Sequence, residues 1–273
     1  MIECSEANCP PQVFSLGQPM IMGILNVTPD SFSDGGMYDS VDTAVARALQ
    51  IQEEGAGILD IGAQSTRPGH SPVPPQEELR RLLPVLQALR GKLHIPISVD
   101  TYSPEMAKAA LDLGAAVIND VSGTAAREMA EVVLKYEAGW ILMHNGGGAD
   151  AVPRYEPDVV TAVRAALENL VGQAMAYGLQ KNQLCLDPGI GFGKSQEDNL
   201  KLLANTPKLK LPGVAYLVGA SRKRVIEYAG GSTIAAHVIA QLGGADILRA
   251  HDVKEAVQAM RVTFNIDKQR EML

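Results

Sequence analysis

The stretch QLCLDPGIGFGKS (183–195) decides how the chain is read. Its first part is an apolar run of strand length that ends in an acid, Asp187, and the rest is a glycine-rich turn ending in Lys194 and Ser195. That ending imitates a phosphate-cradling P-loop, Gly-x-x-x-x-Gly-Lys-[Ser/Thr]. Counting back from Gly193, however, puts the first required glycine at Pro188. Proline lacks the N–H and the φ freedom that a phosphate nest uses. The stretch therefore reads as a buried strand delivering an acid to a tight turn that serves something other than nucleotide phosphate. Cys185 within it is read as inert core, and Lys194 as a solvated loop lysine.

The same unit recurs. Strand-like runs lie at 20–26 (MIMGILN), 56–62 (AGILDIG), 95–100 (IPISVD), 115–120 (AAVIND), 139–144 (GWILMH), 183–188, 214–221 (VAYLVGAS) and 245–252 (ADILRAHD), eight in all. Between them stand segments such as VDTAVARALQIQEEG and PPQEELRRLLPVLQALR, with apolar residues three or four apart, acids or proline in front and glycine behind. Eight β/α alternations with runs buried on both faces predict a single-domain TIM-type (β/α)8 barrel over 19–273, preceded by a short extension at 1–18. A doubly wound open sheet is the alternative, because periodicity does not show closure.

The carboxyl ends of the runs carry site-like groups: Asn26, Ser65-Thr66-Arg67, Asp100, Asn119, Met143-His144, Asp187, Ser221 with Arg222 and Lys223, and Arg249 with His251. Helix capping accounts for some such residues. Their presence at every strand end builds one polar bowl on the face where barrel active sites lie. Arg222, Lys223, Arg249 and His251 come together beside Asn26, because the eighth strand of a barrel lies between the seventh and the first. Asp100, Asn119 and Asp187, from the other side, suit a flat heterocycle with adjacent N–H groups. The predicted ligand thus has a heterocycle at one end and phosphate at the other.

A formal charge of −7 argues against a nucleic-acid surface. The chain shows no run long enough to span a membrane and no apolar leader, and its three cysteines fit a reduced compartment, so a cytoplasmic enzyme acting on small molecules is expected.

Seven motifs, GILNVTPDSFSDGG, STRPG, SVDT, IND, LDPGIGFGK, SRK and R-x-HDV, stand in the order and at nearly the spacing of the dihydropteroate synthase family, which this sequence resembles from about Phe14 to about Arg261. The resemblance implies a barrel that joins 6-hydroxymethyl-7,8-dihydropterin pyrophosphate to p-aminobenzoate, releasing pyrophosphate, with Mg²⁺ as cofactor. It implies pterin contacts from Asp100, Asn119, Met143, Asp187, Phe192 and Lys223. Pyrophosphate contacts fall to Asn26, Arg67, Arg249 and His251, with Asn26 the metal-associated residue. Phe32, Thr66, Arg67 and Ser221 match positions around p-aminobenzoate. Asp34, Arg67, Lys223, Arg249 and His251 carry the catalytic roles: C–O cleavage leaves a ring-stabilised pterin cation, so leaving-group charge is what the protein must neutralise.

Three departures stand out. Gln64 precedes STRPG where many members have Glu, and Ala250 replaces a common Val. The segment VIEYAGGSTIAAHVIA after Arg224 is shorter than the family's usual one, which leaves open the homodimer that this segment helps to form. A pterin-dependent methyltransferase domain and a non-catalytic pterin-binding paralogue are the competing readings.

Overall fold

The computed structural model describes residues 14, 19–27, 37–63, 74–147 and 153–270. The strands β1 (Met20–Asn26), β2 (Ile58–Gly62), β3 (Ile97–Asp100), β4 (Val117–Asp120), β5 (Gly139–Met143), β6 (Leu184–Asp187), β7 (Ala215–Val218) and β8 (Ile247–Ala250) form a closed parallel barrel in sequence order. Closure, with β1 bonded to both β2 and β8, excludes the open sheet. Several strands begin later than the apolar runs suggest. The leading residues Gly57 and Pro96 lie just before the strands and already bond across to a neighbour, Gly57 N–H donating to Ile21 O at 2.9 Å and Pro96 O accepting from Leu59 N–H at 3.0 Å.

The barrel is ringed by α1 (Met37–Glu53), α2 (Pro75–Leu89), α3 (Pro104–Asp112), α4 (Arg127–Lys135), α5 (Val159–Ala176), α6 (Gln196–Ala204), the single turn α7 (Thr206–Leu209), α8 (Arg224–Tyr228), α9 (Thr233–Leu242) and α10 (Val253–Arg270). Local chemistry starts them. Ser103 accepts from Met106 N–H ahead of Pro104, Asp158 accepts from Val160 and Thr161 N–H, and Ser232 accepts from Ala235 N–H. Ser195 caps α6 by accepting from Asp198 N–H, so the serine of the P-loop imitation is a helix cap.

The strands' period of two divides the barrel interior into layers. Phe14, Met22, Ile58, Val117, Ile141, Cys185, Leu217 and Ile247 form a buried apolar plug at the base. Phe14, assigned by sequence to the extension before the barrel, is only 3% exposed inside this plug. Cys185 is buried there, as expected of an inert core thiol. Two residues further along the same strands, and so one layer up, stand Asp60, Asn119, Met143, Asp187 and Arg249.

Removing the plug's aromatic ring should cost stability and spare the opposite face. We expect Phe14→Ala to lower urea-unfolding stability by ~3–5 kcal/mol with ligand binding at the carboxyl end unchanged. His237, on α9, gives a second test. Burial pushes its imidazole down to about 4, outweighing the backbone of Arg249 and the Asp252 charge. The folded chain thus holds it neutral where the unfolded chain protonates it, a contribution present above the unfolded value near 6.5 and lost as pH falls toward 4. His237→Gln should shrink the stability loss between those pH values by ~3 kcal/mol, read as the change in urea midpoint.

Candidate active site

At the carboxyl end of the barrel the plug gives way to charge. Arg249, from β8, reaches across the interior: its Nε lies 2.7 Å from Asp60 Oδ2 on β2, and its Nη2 lies 3.1 Å from Asp100 Oδ2 on β3. Asp60 is fully buried and also accepts from Asn119 Nδ2 at 3.2 Å. Buried in this way, Asp100 is pushed up to about 7 even though the Arg249 charge opposes the rise. Asp100 and Asn119 therefore do not cap helices. That work falls to Ser103 after β3, while Asp120 holds the turn after β4 by accepting from Ser122 N–H and Trp140 Nε1–H.

Above this floor, one pocket is lined by Asp100, Asn119, Val121, Met143, Asp187, Phe192, Gly219, Lys223 and Arg249. All six residues expected at the heterocycle lie around it. Asp187 is buried, and burial raises its carboxyl above the usual range, against the pull of Lys223 and of the Gly189 N–H that it accepts at 2.7 Å. Lys223 donates to Ile190 O and lies 4.7 Å over the Phe192 ring. Burial brings Lys223 down to about 8, with Asp187 resisting. The result is an acceptor and a donor facing one slot with the Phe192 ring and the Met143 side chain on its walls. Gly219 leaves room: a Cβ there would come no closer than 3.7 Å to Asp187 Oδ2.

Toward β7, β8 and β1 the character changes. Ser221 Oγ lies 2.9 Å from His251 Nδ1 and accepts from His251 N–H at 3.2 Å, so residues expected at two different subsites are joined. Arg222, in the left-handed region at φ 57°, pairs with Asp252. Arg249 stands opposite Met22, deeper than Asn26, which is half-buried at the end of β1 and lines a separate cleft with Thr43 and Arg47. Phe32, Asp34, Thr66 and Arg67 lie outside the described residues.

Two residues change the sequence reading. Asp60 is not among the residues that the strand ends point to, although an acid in the middle of the apolar run AGILDIG is a signal, because a strand interior tolerates a charge only when it is paired. Lys194 is not solvated: it is 3% exposed, and its Nζ donates to His144 O, Gly189 O and Phe192 O at 3.3, 2.9 and 2.8 Å. Tertiary folding of the turn over its own lysine, invisible to local patterning, overrides the expectation.

The chain matches the model of the family described as pterin binding enzyme over residues 22–251. It is 43% identical over 256 residues to the dihydropteroate synthase of Synechocystis sp., covering 89% of this chain and 88% of that protein. The solved Xanthomonas albilineans dihydropteroate synthase with 4-aminobenzoic acid is 44% identical, with a TM-score of 0.85 over 92% of this chain and 93% of that one. The Xanthomonas albilineans dihydropteroate synthase in complex with 7,8-dihydropteroate matches at 42% identity and TM-score 0.83, covering 93% and 95% of the two chains.

Removing one member of the buried pair leaves the other charge uncompensated. Asp60→Ala should cost ~3–5 kcal/mol in urea unfolding, and Asp60→Leu combined with Arg249→Met should cost less than either single change. A strictly additive double-mutant cycle would refute the pairing as the organising contact.

Proposed function

This chain belongs to the pterin binding enzyme family, and on that premise we infer that it is a transferase with the activity of a dihydropteroate synthase. It condenses 6-hydroxymethyl-7,8-dihydropterin pyrophosphate with p-aminobenzoate to give 7,8-dihydropteroate and pyrophosphate. The observation that carries this reading is the convergence of Asp100, Asn119, Asp187 and Lys223 on one slot walled by Met143 and Phe192.

In the proposed complex Asp187 accepts from the pterin's ring N–H and 2-amino group. Burial raises the free carboxyl, so a ligand that brings two parallel donors stabilises the anion and is favoured over one that does not. Asn119 and Asp100 meet the remaining ring nitrogens. Lys223 donates to the pterin oxygen and N5 while Phe192 covers a face. In the reaction the bond from the pterin's methylene carbon to pyrophosphate oxygen breaks, and that carbon bonds to the arylamine nitrogen, which then loses a proton. Arg249, His251 and Arg67 neutralise charge gathering on the departing oxygen, and Asp34 stabilises the pterin cation. Ser221, Thr66, Arg67 and Phe32 position p-aminobenzoate, a nucleophile already, for attack. The Ser221–His251 hydrogen bond ties the two subsites at their junction.

Mg²⁺ belongs to the same proposal. Among the described residues no cluster of three His, Cys, Asp or Glu could hold a metal alone, whereas the Asn26 amide oxygen is a hard donor suited to Mg²⁺ that arrives with substrate phosphates. Bound there, the ion would supply electrostatic stabilisation of pyrophosphate charge. Among the described residues no helix is long and apolar enough to cross a membrane, and a cytoplasmic site of action is part of the reading. So is a homodimer: α9 and α10 pack together and expose Ile239, Leu242, Val262 and Ile266, an apolar face that a second copy would cover.

Purified protein with Mg²⁺ should release pyrophosphate from the pterin substrate only when p-aminobenzoate is present, with dihydropteroate formed in equal amount. Asp187→Ala should abolish pterin binding in a fluorescence titration. Pterin binding without product under any substrate concentration would instead assign a non-catalytic paralogue.

A further inference from the structure

The turn that follows β6 is wound around an ammonium group. An ammonium carries three N–H donors, and Lys194 Nζ has three carbonyl acceptors: Gly189 O and Phe192 O within the turn, and His144 O at the end of β5. The turn has no slack. Gly189 and Gly193 sit at φ 67° and 60°, and an added Cβ would lie 1.9 Å from His144 O and 2.3 Å from Gly146 C, respectively. Tyr155 Oη donates to Gly193 O at 2.6 Å, and Gly191 N–H donates to Asn199 Oδ1 at 2.7 Å.

What the turn holds in place is the pocket. Gly189 N–H fixes one oxygen of Asp187, Ile190 O receives Lys223, and Phe192 supplies the ring beneath Lys223. Each passes through backbone that the Lys194 ammonium gathers, yet Lys194 itself does not line the pocket. Burial weakens the ammonium, bringing it down to about 7, while Asp187 and Asp198 support its charge and Lys223 opposes it. A lysine kept in such surroundings is there for its donors, since a buried cation without acceptors is costly.

We propose that Lys194 is a positioning residue for the pterin site, an internal cation whose three hydrogen bonds set the β6–α6 turn and thereby the placement of Asp187, Phe192 and Lys223. The inference rests on the pterin-transfer reading above. It implies that the lysine of this P-loop imitation organises carbonyls where a P-loop lysine binds phosphate.

The test uses the full chain at pH 6.5, with Lys194→Met and Lys194→Ala. Losing charge-assisted hydrogen bonds should weaken the affinity and raise the KM for the pterin pyrophosphate by about tenfold to a hundredfold, while the KM for p-aminobenzoate stays within about twofold of wild type. Propylammonium, which replaces the atoms missing in Lys194→Ala, should restore pterin affinity, and propanol should not. Pterin affinity of folded Lys194→Met within twofold of wild type, equal loss for both substrates, or absence of rescue would overturn the proposal. So would failure of both variants to fold even with propylammonium, since the lysine would then support the whole barrel. If wild type binds no pterin, the reaction assigned above fails on its own. Lys194 is then judged by amide exchange in the 187–195 peptide: at least about tenfold faster exchange in Lys194→Met, with the strands still protected, upholds the role. Unchanged exchange refutes it.

Discussion

The pocket depends on a guanidinium suspended across the inside of a barrel. Arg249 leaves β8 and is gripped by Asp60 on β2 and Asp100 on β3, so a single side chain spans strands that do not pair with its own. Such a cluster gains little net stability, because desolvating three charges offsets most of their attraction. Its effect is on geometry. With Arg249 fixed, Asp100 is turned toward the pocket, and Asn119 is aligned by its bond to Asp60. The slot is thus bounded on one side by Asp100, Asn119 and Arg249.

That cluster is tolerable because of what lies on either side of it. The plug beneath, which Phe14 joins, is buried and supplies the apolar floor. The pocket above lets the charges meet a ligand. Strand periodicity links the two layers: Ile58 and Asp60, Val117 and Asn119, Cys185 and Asp187, and Ile247 and Arg249 are each one pleat apart. Stability and chemistry therefore occupy opposite ends of the same strands, as in barrels generally. Lys194 repeats the theme outside the barrel, a buried charge whose partners are all backbone and whose effect is to shape a turn.

Much of this was legible in the sequence. Eight apolar runs separated by helical periodicity announced the barrel, and the polar residue at each strand end announced which face would carry the site. Asp100, Asn119, Met143, Asp187 and Lys223 are legible from their places at or just after strand ends, whereas Phe192, inside the turn after β6, is reached only through the family resemblance. Asp60 is hard to recognise from sequence because it lies inside a strand, where the alternating pattern leads one to expect core. Lys194 departs from its pattern for the opposite reason: a lysine in a glycine-rich loop is ordinarily exposed, and nothing in the adjacent residues shows that the loop folds back over it.

The sequence alone determined the class of fold, the order of its elements, the face of the site and the chemical types of the groups delivered there. These follow from periodicity and turn chemistry, which act over a few residues. Only the tertiary structure decided that the barrel closes, that Arg249 faces Asp60 and Asp100, that Ser221 meets His251, and that three carbonyls, from His144 just past β5 and from the turn after β6, enclose Lys194. The reason is physical: each of those contacts joins residues brought together by packing of the whole chain, or by backbone conformations that only the packed neighbours select, and no local preference encodes them.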